Sequence, residues 1–208
     1  DVAEGWPWLA PGLGAFWAPE DGTVRPDRLV AALLGDAERL GAAIITDRIT
    51  GLWRENGTLK GAIGRAANYA AGQVVVAAGA WLGRLADGPR RLSVEPVRGQ
   101  LLAWPWPTGR PPATVFGTRC YLLHRGDEML GGSTMEHAGF ATEPSDEATA
   151  QILSRLAQLV PSIGDTPPLR SWTGLRPGTP DGLPVVGPEP RLPGLWYAAG
   201  YGRNGILL

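Results

Sequence analysis

Cysteine, histidine and lysine are nearly missing from this sequence: Cys120 is the only thiol, His124 and His137 the only imidazoles, and Lys60 the only lysine. A lone cysteine excludes an intrachain disulfide and fits a reducing compartment. One thiol and two imidazoles are also too few for a Cys/His zinc site, and neither histidine has a partner at a catalytic spacing. There is no G-x-S-x-G, so a hydrolase triad lacks its nucleophile turn. An excess of one charge is missing as well. The 19 basic and 20 acidic residues leave a formal net charge of −1, which gives nucleic acid or an anionic membrane surface little to hold. The longest apolar runs, such as Val74 to Ala80, are far short of the ~20 residues of a membrane-spanning helix. No charged start leads into an apolar stretch of the signal-peptide kind. These absences predict a cytoplasmic chain without metal.

The sequence is instead rich in apolar residues, glycine and proline. Its 208 residues, 44% of them apolar, suffice for a buried core in one or two domains. The spacing of Leu29, Val30, Leu33, Leu34, Ala37 and Leu40 predicts a helix from Pro26 to Leu40, with proline suited to its first turn and Gly41 as its stop. Ala43 to Thr46 and Arg48 to Trp53 read as strands, Asn56-Gly57 as a hairpin turn, and Leu59 to Gly64 as the return strand. Gln73 to Gly79 is a continuous apolar run ending in glycine, the pattern of a strand buried on both faces in a parallel sheet. Trp81 and Leu82 open a short helix after it. Leu92 to Trp104, Arg119 to His124 and Glu128 to Thr134 read as antiparallel strands, the last two joined through Gly126-Asp127. Pro144 to Leu159 predicts a helix with Ile152, Leu156 and Leu159 on one side, and Leu195 to Ala199 a last buried strand. Parallel-type elements, an antiparallel block and a parallel-type strand again is the order that one domain inserted in another produces. The expectation is an α+β chain with residues 1–90 and 171–208 in one domain and 91–170 in the inserted one. Trp6, Trp8 and Leu9 already resemble a protein interior, and Gly205 to Leu208 reads as the start of an apolar helix, so the chain is expected to continue beyond both ends.

Two stretches carry candidate chemistry. Gly200-Tyr201-Gly202-Arg203-Asn204-Gly205 is literally G-x-G-x-x-G after an apolar strand, but the βαβ unit and distal acid of a dinucleotide fingerprint do not follow it. It reads either as a plain strand-to-helix turn or as backbone N–H groups offered to a site of negative charge. Trp172 to Gly182 is the denser motif. Arg176 within it offers a planar fork for a carboxylate, or equally an ordinary surface salt bridge. Tyr121 on its strand could aim a phenol at a ligand or be a packing aromatic, and Met135 could be simple core filler.

Together Gly14-Ala15, Asp21 to Val24, Val74 to Trp81, Val97-Arg98-Gly99-Gln100, Gly174 to Thr179, Asp181 to Pro184 and Gly200 to Leu207 resemble glycine oxidase and its relatives in the D-amino-acid oxidase superfamily. The motifs stand in family order across nearly the whole chain. The resemblance implies a partial FAD-binding α/β domain with an inserted antiparallel substrate domain. It implies that Arg176, Tyr121, Arg203 and Met135 bind or line the substrate site. It further implies that Ile49, Gly174, Tyr201, Gly202, Arg203, Asn204, Gly205, Ile206 and Leu207 meet the cofactor. The implied activity is oxidative deamination of glycine, sarcosine or a small D-amino acid by hydride transfer to flavin, yielding imine, keto acid and hydrogen peroxide. No catalytic acid or base is required. The family's own N-terminal βαβ unit has no counterpart here, so FAD binding by this chain alone is expected to be weak or absent. A homo-oligomer, or a partner chain carrying that unit, is expected. The alternatives are a non-catalytic truncated chain and a subunit of a multi-chain amino-acid dehydrogenase. Cys120 lies in the inserted block, which argues against a covalent flavin link.

Overall fold

The computed structural model describes residues 2–12, 14–85 and 88–207. Its helices are α1 (Val2–Gly5), α2 (Pro26–Arg39) and α3 (Asp146–Leu156). Its strands are β1 (Ile49–Glu55), β2 (Thr58–Gly64), β3 (Asn68–Ala70), β4 (Val74–Val76), β5 (Glu95–Pro105), β6 (Val115–Gly117), β7 (Cys120–Arg125), β8 (Glu128–Gly132), β9 (Arg170–Gly178), β10 (Val185–Pro188) and β11 (Leu195–Ala199). Two short 3-10 helices, Gly79–Arg84 and Pro161–Asp165, complete them. The fold is α+β, and the chain divides into two units.

The first unit holds Asp1–Thr23 and Arg98–Leu175. Its sheet runs in the order β6-β7-β8-β5-β9. Gly126 at φ +68° turns β7 into β8, as a tight hairpin requires. The ladder then sets Tyr121 opposite Gly132 and Leu122 opposite Gly131, and β5 sets Leu101 and Leu102 opposite the same two glycines. Alternation along the strands sends Leu102, Trp104, Cys120, Leu122 and Met129 into one core with Ile152 and Leu156 of α3. Helix α3 starts where Ser145 Oγ accepts from Ala148 N at 3.2 Å, with Asp146 and Glu147 in the first turn. A Cβ at Gly131 would collide with Leu156 Cδ1 and stand 3.0 Å from the Trp104 ring, so the glycine lets the helix seat on the sheet.

The first residues depart from the expected division. They were assigned with the rest of 1–90, yet they cluster with the antiparallel unit. Trp8 and Leu9 pack on its core, and Ala10 N donates to Leu159 O at 2.7 Å. Trp8 also meets the edge of Trp106, which meets His124 with ring centroids 4.5 Å apart. His124 is thus a packing residue of an aromatic row.

The second unit holds Val24–Val97 and Arg176–Leu208. Asn56 and Gly57 both have positive φ, 51° and 77°, the pair that a type I′ hairpin turn needs between β1 and β2. A second sheet runs β10-β11-β4, with β11 antiparallel to β10 and parallel to β4. Leu195, Tyr197 and Ala199 face a core with Leu52, Leu59, Leu82, Val94 and Leu192. Among the described residues β4 and β11 are covered on one face only: Val75, Trp196 and Val186 are exposed. The register puts Trp196 beside Val75 and Pro188, and Val186 beside Ala198, so one apolar face is uncovered among the described residues. Ala43 to Thr46 is likewise not a strand. It is extended and exposed without a ladder partner among the described residues, and backbone becomes strand only by pairing. Helix α2 matches its expected span and ends with Gly41 at φ +95°, but it buries no residue.

Among the described residues, Glu189 is the carboxylate fully buried in this unit. Its Oε2 accepts from Arg90 Nε at 2.7 Å and its Oε1 from Arg191 N at 3.0 Å. Burial opposes its ionisation, but the Arg191 N–H, the Arg90 hydrogen bond and both guanidinium charges outweigh burial and lower its pKa.

Two outcomes are expected from this packing. Leu156→Ala should cost about 2–5 kcal/mol and Gly131→Ala about 1–3 kcal/mol. The double variant should cost less than the sum, because the shorter side chain vacates the space that the new methyl needs. Urea unfolding of the three variants measures this, and strict additivity would refute the contact. For Glu189, a folded pKa below the unfolded value gives stability that is complete above the ordinary glutamate range. That stability is lost as pH falls through the folded pKa. Between about pH 7 and about pH 3, the wild type should therefore lose more stability than Glu189→Gln. Equal losses would contradict the assignment.

Candidate functional site

In the second unit the structure joins the two densest sequence motifs. Arg176 is half-buried near the end of β9, and the next residue, Pro177, accepts a hydrogen bond at 2.9 Å from Gly202 N. Arg176 and Arg203 therefore stand on segments tied backbone to backbone, each one residue from the tie. Gly200 tightens the same junction. Its φ is +76°, and a Cβ there would lie 2.8 Å from Thr179 Cγ2 and 3.3 Å from Val185 N. Thr179 Oγ1 donates to Leu183 O at 2.8 Å, and Asp181 Oδ1 accepts from Leu183 N at 3.1 Å. The Asp181-Gly182 turn is thus built from side-chain bonds to backbone.

Beyond Gly200 the expected helix start is corrected. Asn204 N bonds Tyr201 O and Leu207 N bonds Asn204 O, both at 2.9 Å. These are i to i−3 bonds, so the described residues 201–207 form consecutive turns and no α-helix. Leu208 lies outside the described residues. Tyr201 and Gly202 are half-buried, while Arg203, Asn204, Gly205, Ile206 and Leu207 are exposed. Gly174, on β9 in the first unit, has no atom within 4 Å of where a Cβ would stand; in the second unit the same holds of Gly202. Bare backbone of this kind admits a flat ring system, and the arginines supply positive charge for an anionic edge. The residues present fit the substrate end of a flavin.

Ile49, the other residue matched to cofactor contact, heads β1 opposite Gly64 and is half exposed. Asp47 steadies the chain just before it, accepting from Tyr69 Oη at 2.8 Å and Ala66 N at 3.1 Å. The Tyr69 bond is the main cause of the lowered Asp47 pKa, and the same bond raises that of Tyr69. Asp47 was not singled out in the sequence, because its partners are folded in from beyond the hairpin.

Tyr121 and Met135 belong to the first unit. Tyr121 points to the sheet face away from α3, since its neighbours Cys120 and Leu122 fill the core. Across the strands it lies between Phe116 and Gly132 in a row that continues to Leu101. A Cβ at Gly132 would strike Leu101 Cδ2, so the glycine leaves that row room for the larger side chains. Met135 is 59% exposed, three residues past Gly132. Cys120 faces the helix, and burial raises its thiol pKa, which suits a packing residue and not a nucleophile.

The same unit holds a polar cluster that the sequence reading did not assign. Arg98 and Gln100 alternate along β5 within the Val97 to Gln100 motif. Arg98 Nη2 bonds Glu136 Oε2 at 2.5 Å, and Arg98 Nη1 donates to Glu143 O at 3.0 Å. Gln100 is fully buried; its N donates to Thr134 Oγ1 at 2.9 Å and its side chain bonds Ser145 N, Ser145 O and Thr149 Oγ1. Thr134 Oγ1 in turn donates to Glu136 Oε1 at 2.5 Å. Burial resists the charge on Glu136, yet the Arg98 and Thr134 hydrogen bonds prevail and its pKa is lowered. Two polar residues on one face of an otherwise apolar strand were the available signal. Among the described residues no group of three His, Cys, Asp or Glu side chains could hold a metal, and no helix is long and apolar enough to cross a membrane.

Comparison with known proteins gives this geometry its context. The chain is 35% identical over 207 residues to glycine oxidase of Pseudomonas putida, covering 97% of this chain and 57% of that protein. It is 38% identical over 202 residues to glycine oxidase of Geobacillus kaustophilus, covering 94% and 52%. The crystal structure of glycine oxidase from Geobacillus kaustophilus superposes with a TM-score of 0.87 at 36% identity, over 100% of this chain and 57% of that one. The chain thus spans about half the length of the curated relatives it matches. The α+β architecture, mixed sheets included, is shared with glycine oxidase across the matched part. The family model described as DAO, FAD dependent oxidoreductase, matches residues 1–208, and the chain belongs to that family.

Proposed function

We propose that the protein acts in FAD-dependent oxidative deamination of a small amino acid, with glycine, sarcosine or a small D-amino acid as substrate. The Gly202 N–H to Pro177 O bond carries the reading, because it sets the segment of Arg176 against the turn of Tyr201 to Leu207. FAD, when bound, would supply the two-electron acceptor, with hydrogen peroxide as the expected product of its reoxidation by oxygen. The imine product leaves to hydrolyse to the keto acid.

The chain's own groups bind and orient. The Arg176 fork takes the substrate carboxylate through two hydrogen bonds. Held there, the substrate would turn Cα to the acceptor, and Tyr121 is the further substrate residue that the resemblance to the family implies. Arg203 would place positive charge beside the edge of a bound flavin. Met135 forms an apolar wall. Since the cofactor carries the hard step, the protein needs no acid–base pair. The uncovered apolar face of Val75, Trp196 and Val186, and the exposed Leu33, Leu34 and Leu40 of α2, are the surface for a second copy or for a segment bearing the nucleotide-phosphate site.

Two experiments test this. Among their described residues, these 208 residues contain no complete βαβ unit with its phosphate-binding turn. Produced alone, they should therefore bind FAD weakly or not at all and scatter light as more than one chain. Near-stoichiometric flavin after desalting, or a clean monomer at high concentration, would count against it. In the flavin-loaded full-length protein, Arg176→Ala should lose about 2–5 kcal/mol of transition-state binding. At about 1.4 kcal/mol per tenfold, kcat/KM falls roughly 30-fold to several thousand-fold. Arg176→Lys should rescue little, and Tyr121→Phe should cost less. Flavin absorbance should hold steady in all three. Unchanged kcat/KM in Arg176→Ala with loss of activity in Arg203→Ala would move the carboxylate clamp to the other arginine.

A further inference from the structure

The first unit holds a cavity of about 380 Å3, and every residue lining it belongs to that unit. That volume falls at the small end of the ~300–1,000 Å3 range of small-molecule pockets. The inner wall is apolar. Trp104, Met129, Val160 and Ile163 form it, all from the core that α3 covers, on the sheet face opposite Tyr121. Trp104 and Met129 stand directly across the β5–β8 ladder from one another, so an indole and a thioether share one patch of wall. Both gain from contact with a flat aromatic ring. Two opposite charges complete the lining, Arg110 and Asp165. No salt bridge joins them to each other or to another side chain among the described residues. Each is steadied by tryptophan. Arg110 Cζ lies 5.3 Å from the Trp8 ring centroid, and Arg110 O accepts from Trp106 Nε1 at 3.0 Å. Asp165 ends the 3-10 helix Pro161–Asp165, and its neighbour Thr166 offers O to Trp104 Nε1, also at 3.0 Å. The backbone on both sides is therefore fixed before a ligand arrives, which lowers the cost of ordering it.

We propose that this cavity binds an aromatic α-amino acid as its zwitterion. The ring lies against Trp104 and Met129. The Arg110 fork takes the carboxylate, and the Asp165 carboxylate accepts from the ammonium. Arg110 is half-buried, so salt screens its charge less than that of an open surface residue. A ligand with only one of the two charges leaves the other rim charge unanswered. Binding makes and breaks no covalent bond, and it does not depend on the oxidase reading.

Met129 and Met135 are this chain's only methionines, and Met129 lines the cavity while Met135 does not. Protein carrying 13C-methyl methionine therefore reports occupancy directly, with Met129→Leu assigning the signal. Phenylalanine should shift the Met129 methyl saturably and leave Met135 in place. Arg110→Gln and Asp165→Asn should each weaken that binding by on the order of tenfold. Phenylpropionate, which lacks the ammonium, should bind more weakly than phenylalanine and ignore Asp165→Asn. Phenethylamine, which lacks the carboxylate, should likewise bind more weakly and ignore Arg110→Gln. Ser162→Trp, at the exposed lip, should block all three. A wild-type Met129 position before ligand is added shows that a variant has folded. A Met129 methyl that stays in place at millimolar phenylalanine overturns the proposal. So does binding that either charge variant leaves unchanged. Phenylpropionate binding as tightly as phenylalanine overturns it too, because the cavity would then recognise a carboxylate alone.

Discussion

A primary amide buried between a sheet and a helix must satisfy every donor and acceptor from the protein itself, and Gln100 meets that demand on two separate segments. Its backbone N–H takes Thr134, which fixes where the chain goes after β8. Its side chain takes Ser145 and Thr149, which fixes where α3 begins. Strand, helix start and the Met135 segment are therefore one constraint. Losing any partner would leave a buried polar group unpaired, at a cost of about 1–3 kcal/mol. Around this point the apolar packing follows: Gly131 admits Leu156 on one face of the sheet, and Gly132 admits Leu101 on the other.

The second unit solves a different problem. The end of strand β9 and the turns that follow Gly200 are held against one another there. Backbone does most of this, through Gly202 N–H to Pro177 O and through the close approach of Gly200 to Thr179. Any side chain at Gly200 would need both an unfavourable φ and space already filled.

Charge is handled sparingly throughout. The buried or shielded carboxylates, Glu136 and Glu189, each meet an arginine and at least one further donor, and both stay ionised more readily than an ordinary glutamate despite burial. Such pairs are seldom a large net source of stability, since desolvation offsets most of the attraction. Their directional bonds instead select one arrangement of the chain around them.

Local periodicity and turn chemistry in the sequence were enough for α2, the Asn56-Gly57 and Gly126-Asp127 hairpins, the β7-β8 pair and α3, because each depends on near neighbours. The motif order also marked Arg176 and the Gly200 to Leu207 stretch. What the sequence alone misread depends on distant chain. Ala43 to Thr46 has the composition of a strand but no partner to pair with among the described residues. The union of Pro177 with Gly202, the placement of Trp8 and Leu9 on the antiparallel unit's core, and the Arg98–Glu136–Thr134–Gln100 cluster likewise arise from contacts between residues far apart in sequence. Side-chain pattern determines which face of an element seeks cover; tertiary folding decides whether cover is there, and which polar groups must then answer one another.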